Sequence, residues 1–266
     1  MQIEGTVAIV TGGANGIGAA ISRRLAAEGA AGILLADLDE VAVATVAGEL
    51  AAAGTPAVGR RVDVAEQGEI EAMVLAAEAA FGPVDIMVSN AGIGTNAGID
   101  ADPMMWQRSW DINVLAHVHA ARALLPSMLE RGGGAFVHTC SAAGLLTMLG
   151  DAPYAVTKHA AVAFAEWLSV TYGSRGIQVG ALCPQGVETD LLRAAGGSIA
   201  EQVVRLAGKV LQPDDVAAEV VAGIEDGRFL ILPHPEVADH LRHKATDIDR
   251  WLGALRGIND QLDPQR

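Results

Sequence analysis

Short apolar runs alternate along the chain with longer segments in which apolar residues recur at helical spacing. Continuous apolar runs followed by helical segments are typical of buried parallel strands. The runs that we predict as strands are TVAIV (6–10), GILLA (32–36), AVGRRV (57–62), VDIMVS (84–89), AFVHT (135–139), IQVGALC (177–183) and FLILP (229–233). The helical segments between them lie at about 16–28, 39–53, 66–81, 103–129, 154–172 and 214–225.

This order of elements predicts an α/β fold: a single Rossmann-type, doubly wound parallel sheet of about seven strands with helices on both faces. Linker-like composition does not interrupt the order, so we interpret residues 1–266 as one dinucleotide-binding and catalytic domain. A tail at 236–262 again has apolar residues at helical spacing. We expect a C-terminal helical extension there, packed either on its own sheet or at a subunit interface.

Composition and charge narrow the classes of partner. The net charge of −14 argues against nucleic acids and anionic membranes, because both require a basic face. No apolar run approaches the roughly 20 residues that cross a bilayer, and the first strand leaves no room for a signal peptide. The two cysteines, Cys140 and Cys183, are expected as free thiols in the core. Together these features predict a cytoplasmic protein, and the histidine spacing predicts no metal site.

The turn between the first strand and the first helix reads TGGANGIG, residues 11–18. A glycine-rich turn in this position directs backbone N–H groups and a helix N-terminus at a pyrophosphate. Asp37 ends the second strand, where a carboxylate binds an adenine ribose and repels a 2′-phosphate. The following residues, 38–42, include no Arg or Lys. We therefore expect NAD rather than NADP, the alternative being that Asp37 only caps the next helix.

Further motifs follow in order: SNAG (89–92), WDINVLA (110–116) with Asn113, Ser141, Tyr154 with Lys158 four residues on, and PQGVET (184–189). With these motifs the chain resembles the short-chain dehydrogenase/reductase family, from its N-terminus to about residue 233. TGGANGIG is similar to that family's TGxxxGxG turn, and Tyr154 with Lys158 to its YxxxK motif. The chain departs from the family at Ser89, where Asn is usual, and at Gln185, where Gly is usual.

The resemblance implies that Asn113, Ser141, Tyr154 and Lys158 are catalytic. Tyrosine is a poor base at neutral pH because its pKa is about 10. Lys158 lies one helical turn away on the same face, and its charge, together with that of the oxidised nicotinamide, is expected to lower the pKa of Tyr154 towards neutrality. Ser141 would hold the substrate oxygen, and Lys158 would also hold the nicotinamide ribose. Asn113 would hold a water in a proton relay, or would simply be a helix-packing amide.

The resemblance also implies which residues contact the ligands. The expected cofactor contacts are Gly12, Asn15, Gly16, Ile17, Gly18, Asp37, Leu38, Asp63, Val64, Asn90, Ala91, Gly92, Tyr154, Lys158, Pro184, Val187 and Thr189. The expected substrate contacts are Ile93, Ser141, Ala142, Leu145, Leu146, Met148, Tyr154, Gln185, Leu191 and Leu192. This second set is mainly apolar and lacks Arg and Lys, which predicts a hydrophobic substrate. Gln185 either binds a second substrate oxygen or is merely tolerated in the turn.

These observations predict an NAD(H)-dependent oxidoreductase that interconverts a hydrophobic secondary alcohol and its ketone, with Tyr154 as the general base or acid. One alternative is a 3-oxoacyl-[acyl-carrier-protein] reductase, which would dock its carrier near Arg131 and Arg175. An alternative of another class is a non-catalytic dinucleotide-binding sensor or scaffold. The resemblance further implies a homo-oligomer, a homotetramer or a dimer, assembled through the helices at 103–129 and 154–172.

Overall fold

The computed structural model describes residues 1–262, which form a sheet of seven parallel strands in the order β3-β2-β1-β4-β5-β6-β7. The strands are β1 (Val7–Thr11), β2 (Gly32–Asp37), β3 (Ala57–Arg61), β4 (Ile86–Ser89), β5 (Gly134–Thr139), β6 (Ile177–Leu182) and β7 (Leu230–Ile231). The order reverses between β1 and β4, and ligands of such sheets bind beyond the carboxyl ends of the strands at that point. The predicted doubly wound sheet is confirmed.

Helices cover both faces of this sheet. They are α1 (Gly16–Ala27), α2 (Glu40–Ala52), α3 (Gln67–Phe81), α4 (Pro103–Trp110), α5 (Ala116–Glu130), α6 (Ala143–Leu146), α7 (Ala152–Tyr172), α8 (Asp190–Ala194), α9 (Ile199–Leu206), α10 (Pro213–Asp226), α11 (Glu236–Thr246) and α12 (Ile248–Leu262). One core cluster packs the sheet against α3, α5 and α7, and a second packs it against α1, α2 and α10. Successive strand residues serve opposite clusters, as Ala8 and Ile9 do, because side chains alternate along a strand.

The helix predicted at 103–129 is wrong in one respect. A π-helical turn, Asp111–Leu115, separates α4 from α5 and includes Asn113. Such turns carry no strong sequence signal, and they often occur at functional sites. The last strand is also shorter than the predicted run at 229–233, since it lies at the sheet edge and Pro233 lacks the N–H that would extend the pairing.

The C-terminal tail forms two helices, α11 and α12. Val237 of α11 is fully buried against Ala142 and Leu146, which follow β5. The Lys244 ammonium donates to the carbonyl oxygen of Leu145 at 2.6 Å. The tail therefore packs on the loop that follows β5. Within residues 1–262, the helices are all too short or too polar to cross a membrane.

Candidate active site

A cavity of about 840 Å³ lies at the carboxyl ends of the strands and reaches from the glycine turn to the C-terminal helices. It brings together most of the residues that the sequence predicts. Those that line it are Gly12, Asn15, Gly16, Ile17, Asp37, Leu38, Asp63, Val64, Asn90, Ala91, Gly92, Ile93, Ser141, Ala142, Leu146, Met148, Tyr154, Lys158, Pro184, Gln185, Val187, Thr189, Leu191 and Leu192.

Three predicted site residues do not line the cavity: Gly18, Leu145 and Asn113. Gly18 lies behind the glycine turn, where its missing side chain allows α1 to approach the backbone of Gly12. Leu145 of the short helix α6 is partly buried and packs against the core cluster that contains α3, α5 and α7, while its neighbour Leu146 lines the cavity. Its predicted contact with the substrate stays a prediction.

The glycine turn presents backbone rather than side chains to the cavity. Gly12 and Gly16 have φ angles of 64° and 51°, in the left-handed region that favours glycine. Asn15, which precedes α1, makes no side-chain cap bond within the described chain, so the first N–H groups of α1 are left for another partner. This donor set fits the pyrophosphate of a dinucleotide.

The Asp37 carboxylate faces the same turn. Its Oδ2 accepts a hydrogen bond from the backbone N–H of Ala14 at 3.0 Å, and its Oδ1 accepts one from Asp39 at 3.3 Å. The N-terminus of α2 is capped by Asp39, whose Oδ1 accepts from Ala42 at 2.9 Å. The alternative in which Asp37 is the helix cap is therefore wrong, and Asp37 lines the cavity.

Asp63 lines the cavity as predicted, with a partner that the sequence did not indicate. Arg108 of α4 donates to both carboxylate oxygens, at 2.9 and 3.1 Å. Burial acts to raise the pKa of Asp63, but the hydrogen bonds from Arg108 and the Ala65 N–H, with the charges of Arg108 and Arg61, outweigh it and lower the pKa. The two residues are 45 positions apart, so only the tertiary fold could reveal this pair.

Tyr154 and Lys158 lie one turn apart at the start of α7. The Lys158 ammonium lies 5.6 Å from the centre of the Tyr154 ring and donates to the carbonyl oxygen of Thr139 at 2.7 Å. Burial raises the pKa of Tyr154 to about 12, although the Ser141 hydroxyl acts to lower it. Among the protein's own groups desolvation is thus the largest effect on this pKa, and its lowering by Lys158 together with the oxidised nicotinamide stays a prediction. Burial also lowers the pKa of Lys158 to about 8.

Ser141 is held in an uncommon backbone conformation beside Tyr154. Its φ is 70°, in the left-handed region that non-glycine residues rarely adopt and that recurs at functional sites. The N–H groups of Cys140 and Ser141 both donate to the carbonyl oxygen of Leu182, at 2.7 and 3.1 Å, and Ala142 donates to Pro184 at 2.8 Å. These bonds fix the serine loop against the end of β6. Both cysteines are buried free thiols, as predicted.

Asn113 lies fully buried beneath the loop that follows β4. Its Oδ1 accepts from the N–H of Ile93 at 2.9 Å, and its Nδ2 donates to the Ile93 carbonyl at 2.9 Å and to Thr157 Oγ1 at 3.1 Å. The side chain therefore joins the loop at 90–97 to α7. This is the helix-packing alternative, and the water relay stays a prediction.

The sequence missed the side of the cavity that lies farthest from the glycine turn. We call it the roof: the residues of α9, Ala207 and α12 that line the cavity, which are Ala200, Glu201, Val203, Val204, Leu206, Ala207, Trp251, Ala254, Leu255 and Ile258. Helical spacing signals an apolar face in both segments, but not what that face covers. His240 of α11 lines the cavity beside Trp251. In the described chain, no cluster of three or more His, Cys, Asp or Glu residues could hold a metal.

Comparison with known proteins identifies the family. The family model described as short chain dehydrogenase matches residues 6–198. The chain belongs to this family. It is accordingly an oxidoreductase that acts on hydroxyl or ketone groups. The match ends before α9 begins, so the roof of this short chain dehydrogenase lies outside it.

Relatives of this short chain dehydrogenase include 1-deoxy-11-beta-hydroxypentalenate dehydrogenase of Streptomyces exfoliatus, 32% identical over 262 residues, 95% of this chain and 91% of that protein. The 3beta-hydroxysteroid dehydrogenase 2 of Eggerthella lenta is 36% identical over 194 residues, 71% of this chain and 74% of that protein. Among solved structures, a short chain dehydrogenase/reductase from Burkholderia phymatum in complex with NAD has a TM-score of 0.86 and 30% identity, covering 94% of this chain and 96% of that one.

Proposed function

We propose that this short chain dehydrogenase is a cytoplasmic, NAD(H)-dependent enzyme that interconverts a hydrophobic secondary alcohol and its ketone, with Tyr154 as the general acid or base. The observation that carries the proposal is that Tyr154, Ser141 and Lys158 line the same cavity as the glycine turn and the mainly apolar roof. The relatives named above act on a hydroxysteroid and on a hydroxypentalenate, by their names, which supports a substrate of this kind.

The charges around the cavity support NAD over NADP. In the described part of the chain, Lys158 is the one Lys or Arg that lines the cavity, whereas Asp37, Asp63, Asp151, Asp190 and Glu201 all line it. A 2′-phosphate would meet the Asp37 carboxylate with no cation to offset the repulsion. The neighbouring Arg61 lies opposite Asp37 in the sheet, but its guanidinium is 3.7 Å from the carboxylate of Glu69.

The chemical step needs a proton transfer at the substrate oxygen. When bound, the nicotinamide exchanges the hydride and, in its oxidised form, adds a positive charge beside the phenol. Tyr154, whose pKa burial raises to about 12, is a proton donor at neutral pH and suits reduction of a ketone. Ser141 orients the oxygen by a hydrogen bond, and Lys158, which is cationic below its pKa of about 8, stabilises the negative charge that develops on the phenol as it gives up its proton.

The roof supports a bulky apolar substrate. Its side chains are aliphatic or aromatic apart from Glu201, and they face the wall formed by Ile93, Leu146 and Met148. Each buried methylene of a substrate contributes about 0.8 kcal/mol in such a site. Gln185 reaches the same space, and its Oε1 is buried without a hydrogen-bond partner among the described residues. That acceptor suits a second hydroxyl of the substrate.

A panel of secondary alcohols and ketones, run in parallel with NAD(H) and NADP(H) and followed by reduced-cofactor absorbance, tests the proposal. We expect turnover of bulky alicyclic substrates with NAD(H), abolished by Tyr154→Phe. Preference for NADP(H) would overturn the role of Asp37. Turnover that survives Tyr154→Phe would overturn the mechanism, and cofactor binding without any turnover would favour the sensor or scaffold alternative.

The carrier-protein alternative receives little support from its predicted docking residues. Arg131 pairs with Asp85 at 2.8 Å, and Arg175 lies over the ring of Tyr172 at 5.7 Å. Both cations therefore have intramolecular partners, on a protein of net charge −14 that would repel an acidic carrier. Including a 3-oxoacyl thioester in the substrate panel compares the two functions directly.

A homo-oligomer remains part of the proposal. Large apolar side chains are exposed on α4 and α7, among them Trp167 at 56% and Val170 at 85%. Exposed apolar patches of this kind mark protein interfaces. Light scattering after size exclusion would give the oligomeric state, and a monomer at micromolar concentration would exclude the expected dimer or tetramer.

A further inference from the structure

The Asp151 carboxylate is buried directly before α7 and accepts four hydrogen bonds. Its Oδ1 accepts from the N–H of Tyr154 at 3.0 Å and from Thr95 Oγ1 at 2.7 Å. Its Oδ2 accepts from the N–H groups of Thr95 and Asn96, at 2.6 and 2.8 Å. One carboxylate thus joins the first turn of α7 to the loop at 90–97, and no sequence motif pointed to it.

That loop has no regular secondary structure and forms one wall of the cavity, through Gly92, Ile93, Gly94 and Asn96. Asn96 has a φ of 52°, a conformation that surrounding contacts must hold in place. Asn113 fixes the start of the loop at Ile93, as described above. Asp151 fixes its middle, and the bond from Ala152 N–H to the Ala97 carbonyl, at 2.8 Å, continues the attachment.

We propose that Asp151 is a positioning residue for Tyr154: it fixes the phenol-bearing turn of α7 against the loop wall, and so sets where the hydroxyl meets the substrate oxygen. The inference rests on the proposed role of Tyr154. Charge-assisted bonds from a carboxylate are roughly twice as strong as neutral ones, which suits a fixed attachment. Misplacement of a reacting group by about 1 Å costs on the order of a hundredfold in rate.

The carboxylate also acts on the phenol through its charge. The ionisable or hydrogen-bonding groups that face Tyr154 are Cys140, Ser141, Asp151, Lys158 and Cys183. Burial is the largest cause of the high pKa of Tyr154, the Ser141 hydroxyl opposes it, and the negative Asp151 raises it further. Removing that charge lowers the pKa of the phenol. The alkaline rise of the oxidation rate, which follows the tyrosinate, should therefore move to lower pH.

Two substitutions separate positioning from helix capping. Asp151→Asn keeps the size of the side chain but leaves at least one of the four donors without an acceptor. Asp151→Ser can still cap α7 but does not reach the loop. We expect both to lower kcat roughly 10- to 100-fold, with the KM for NAD within about twofold of wild type, and to shift the alkaline rise to lower pH. Thr95→Val removes the hydroxyl bond to Asp151 and the longer one from the Ala97 N–H at 3.3 Å, and it keeps the Asp151 charge, so it should lower kcat less and leave the pH profile unmoved.

Controls distinguish the possible failures. Asp102→Ser makes the same change at the N-cap of α4, where Asp102 Oδ1 accepts from the Met104 N–H at 2.7 Å. Its change in melting temperature measures the effect of altering a helix cap alone. Full activity of Asp151→Ser would reduce the residue to a helix cap and overturn the inference. A kcat loss without a pH shift in the folded Asp151 variants would also overturn it. If the Asp151 variants do not fold, an unchanged kcat of Thr95→Val overturns it. Turnover that survives Tyr154→Phe would instead overturn the proposed function.

Discussion

The two ends of the cavity are built in different ways. The end where we propose that the cofactor binds, called the cofactor end, consists of backbone: the glycine turn, the N-terminus of α1 and the carboxyl ends of buried strands. The roof consists of apolar side chains on helices that are only partly packed, and Leu252 on the outer side of α12 is 44% exposed. Backbone geometry leaves few acceptable residues at a position, whereas an apolar wall accepts many. Substitutions should therefore have large effects at the cofactor end and substrate-dependent effects at the roof.

The largest effect is expected for Gly18→Ala at the cofactor end. A Cβ there would lie 2.0 Å from the carbonyl oxygen of Gly12, so the turn or α1 must move. Such overpacking costs about 1–3 kcal/mol or more, and we expect NAD affinity to fall at least roughly tenfold. Calorimetric titration with NAD measures this. Gly48→Ala on α2, whose Cβ would meet nothing within 4 Å, is the control and should bind normally.

If Gly18→Ala and Gly48→Ala bound NAD with equal affinity, the close packing of backbone at the glycine turn would not determine cofactor binding.

The next effect tests whether the protein loses stability in acid because of the buried core that lies beneath both ends of the cavity. His138 of β5 is buried, stacks on His117 with ring centres 4.9 Å apart, and burial lowers its pKa to about 3. The unfolded chain, with a histidine pKa of about 6.5, binds the proton first. Neutral His138 therefore makes its full contribution to the free energy of unfolding above about pH 6.5. That contribution decreases as the pH falls towards 3, and at pH 5 it is smaller by about 2 kcal/mol.

We therefore expect His138→Phe to flatten the dependence of unfolding free energy on pH between 7 and 5, as measured by urea titration. His243→Gln, at an exposed position of α11, serves as the control. If the unfolding free energy of His138→Phe depended on pH as steeply as that of the wild type, another group would cause the loss of stability in acid.

The smallest effect is expected at the roof, and it should depend on the substrate. Leu255 lines the cavity, whereas Leu252 lies on the outer side of the same helix. We expect Leu255→Ala to lower kcat/KM about tenfold for a fused-ring ketone and to leave a small acyclic ketone within about twofold, since only the larger molecule reaches α12. Leu252→Ala should change neither value. An equal loss for both ketones would mean that α12 stabilises the fold rather than selecting the substrate.

The sequence by itself determined the elements that depend on local pattern. Apolar runs identified the strands, TGGANGIG identified the turn that precedes α1, and the four-residue spacing of Tyr154 and Lys158 put both on one side of α7. The tertiary structure alone decided what each side covers. It packed Leu145 against the core and left Leu146 lining the cavity, paired Arg108 with Asp63, and brought residues of α12 to the cavity wall.

The same division applies to the chemistry. Residue types and their order indicated a phenol, a lysine and a serine, but the pKa of Tyr154 depends on burial, which no local pattern reports. Periodicity shows that a helix has an apolar side, and it does not show which distant segment lies against that side. Asp151 illustrates the point: three residues before Tyr154 in the sequence it is an ordinary helix cap, and only the fold brings Thr95 and Asn96 to its second oxygen.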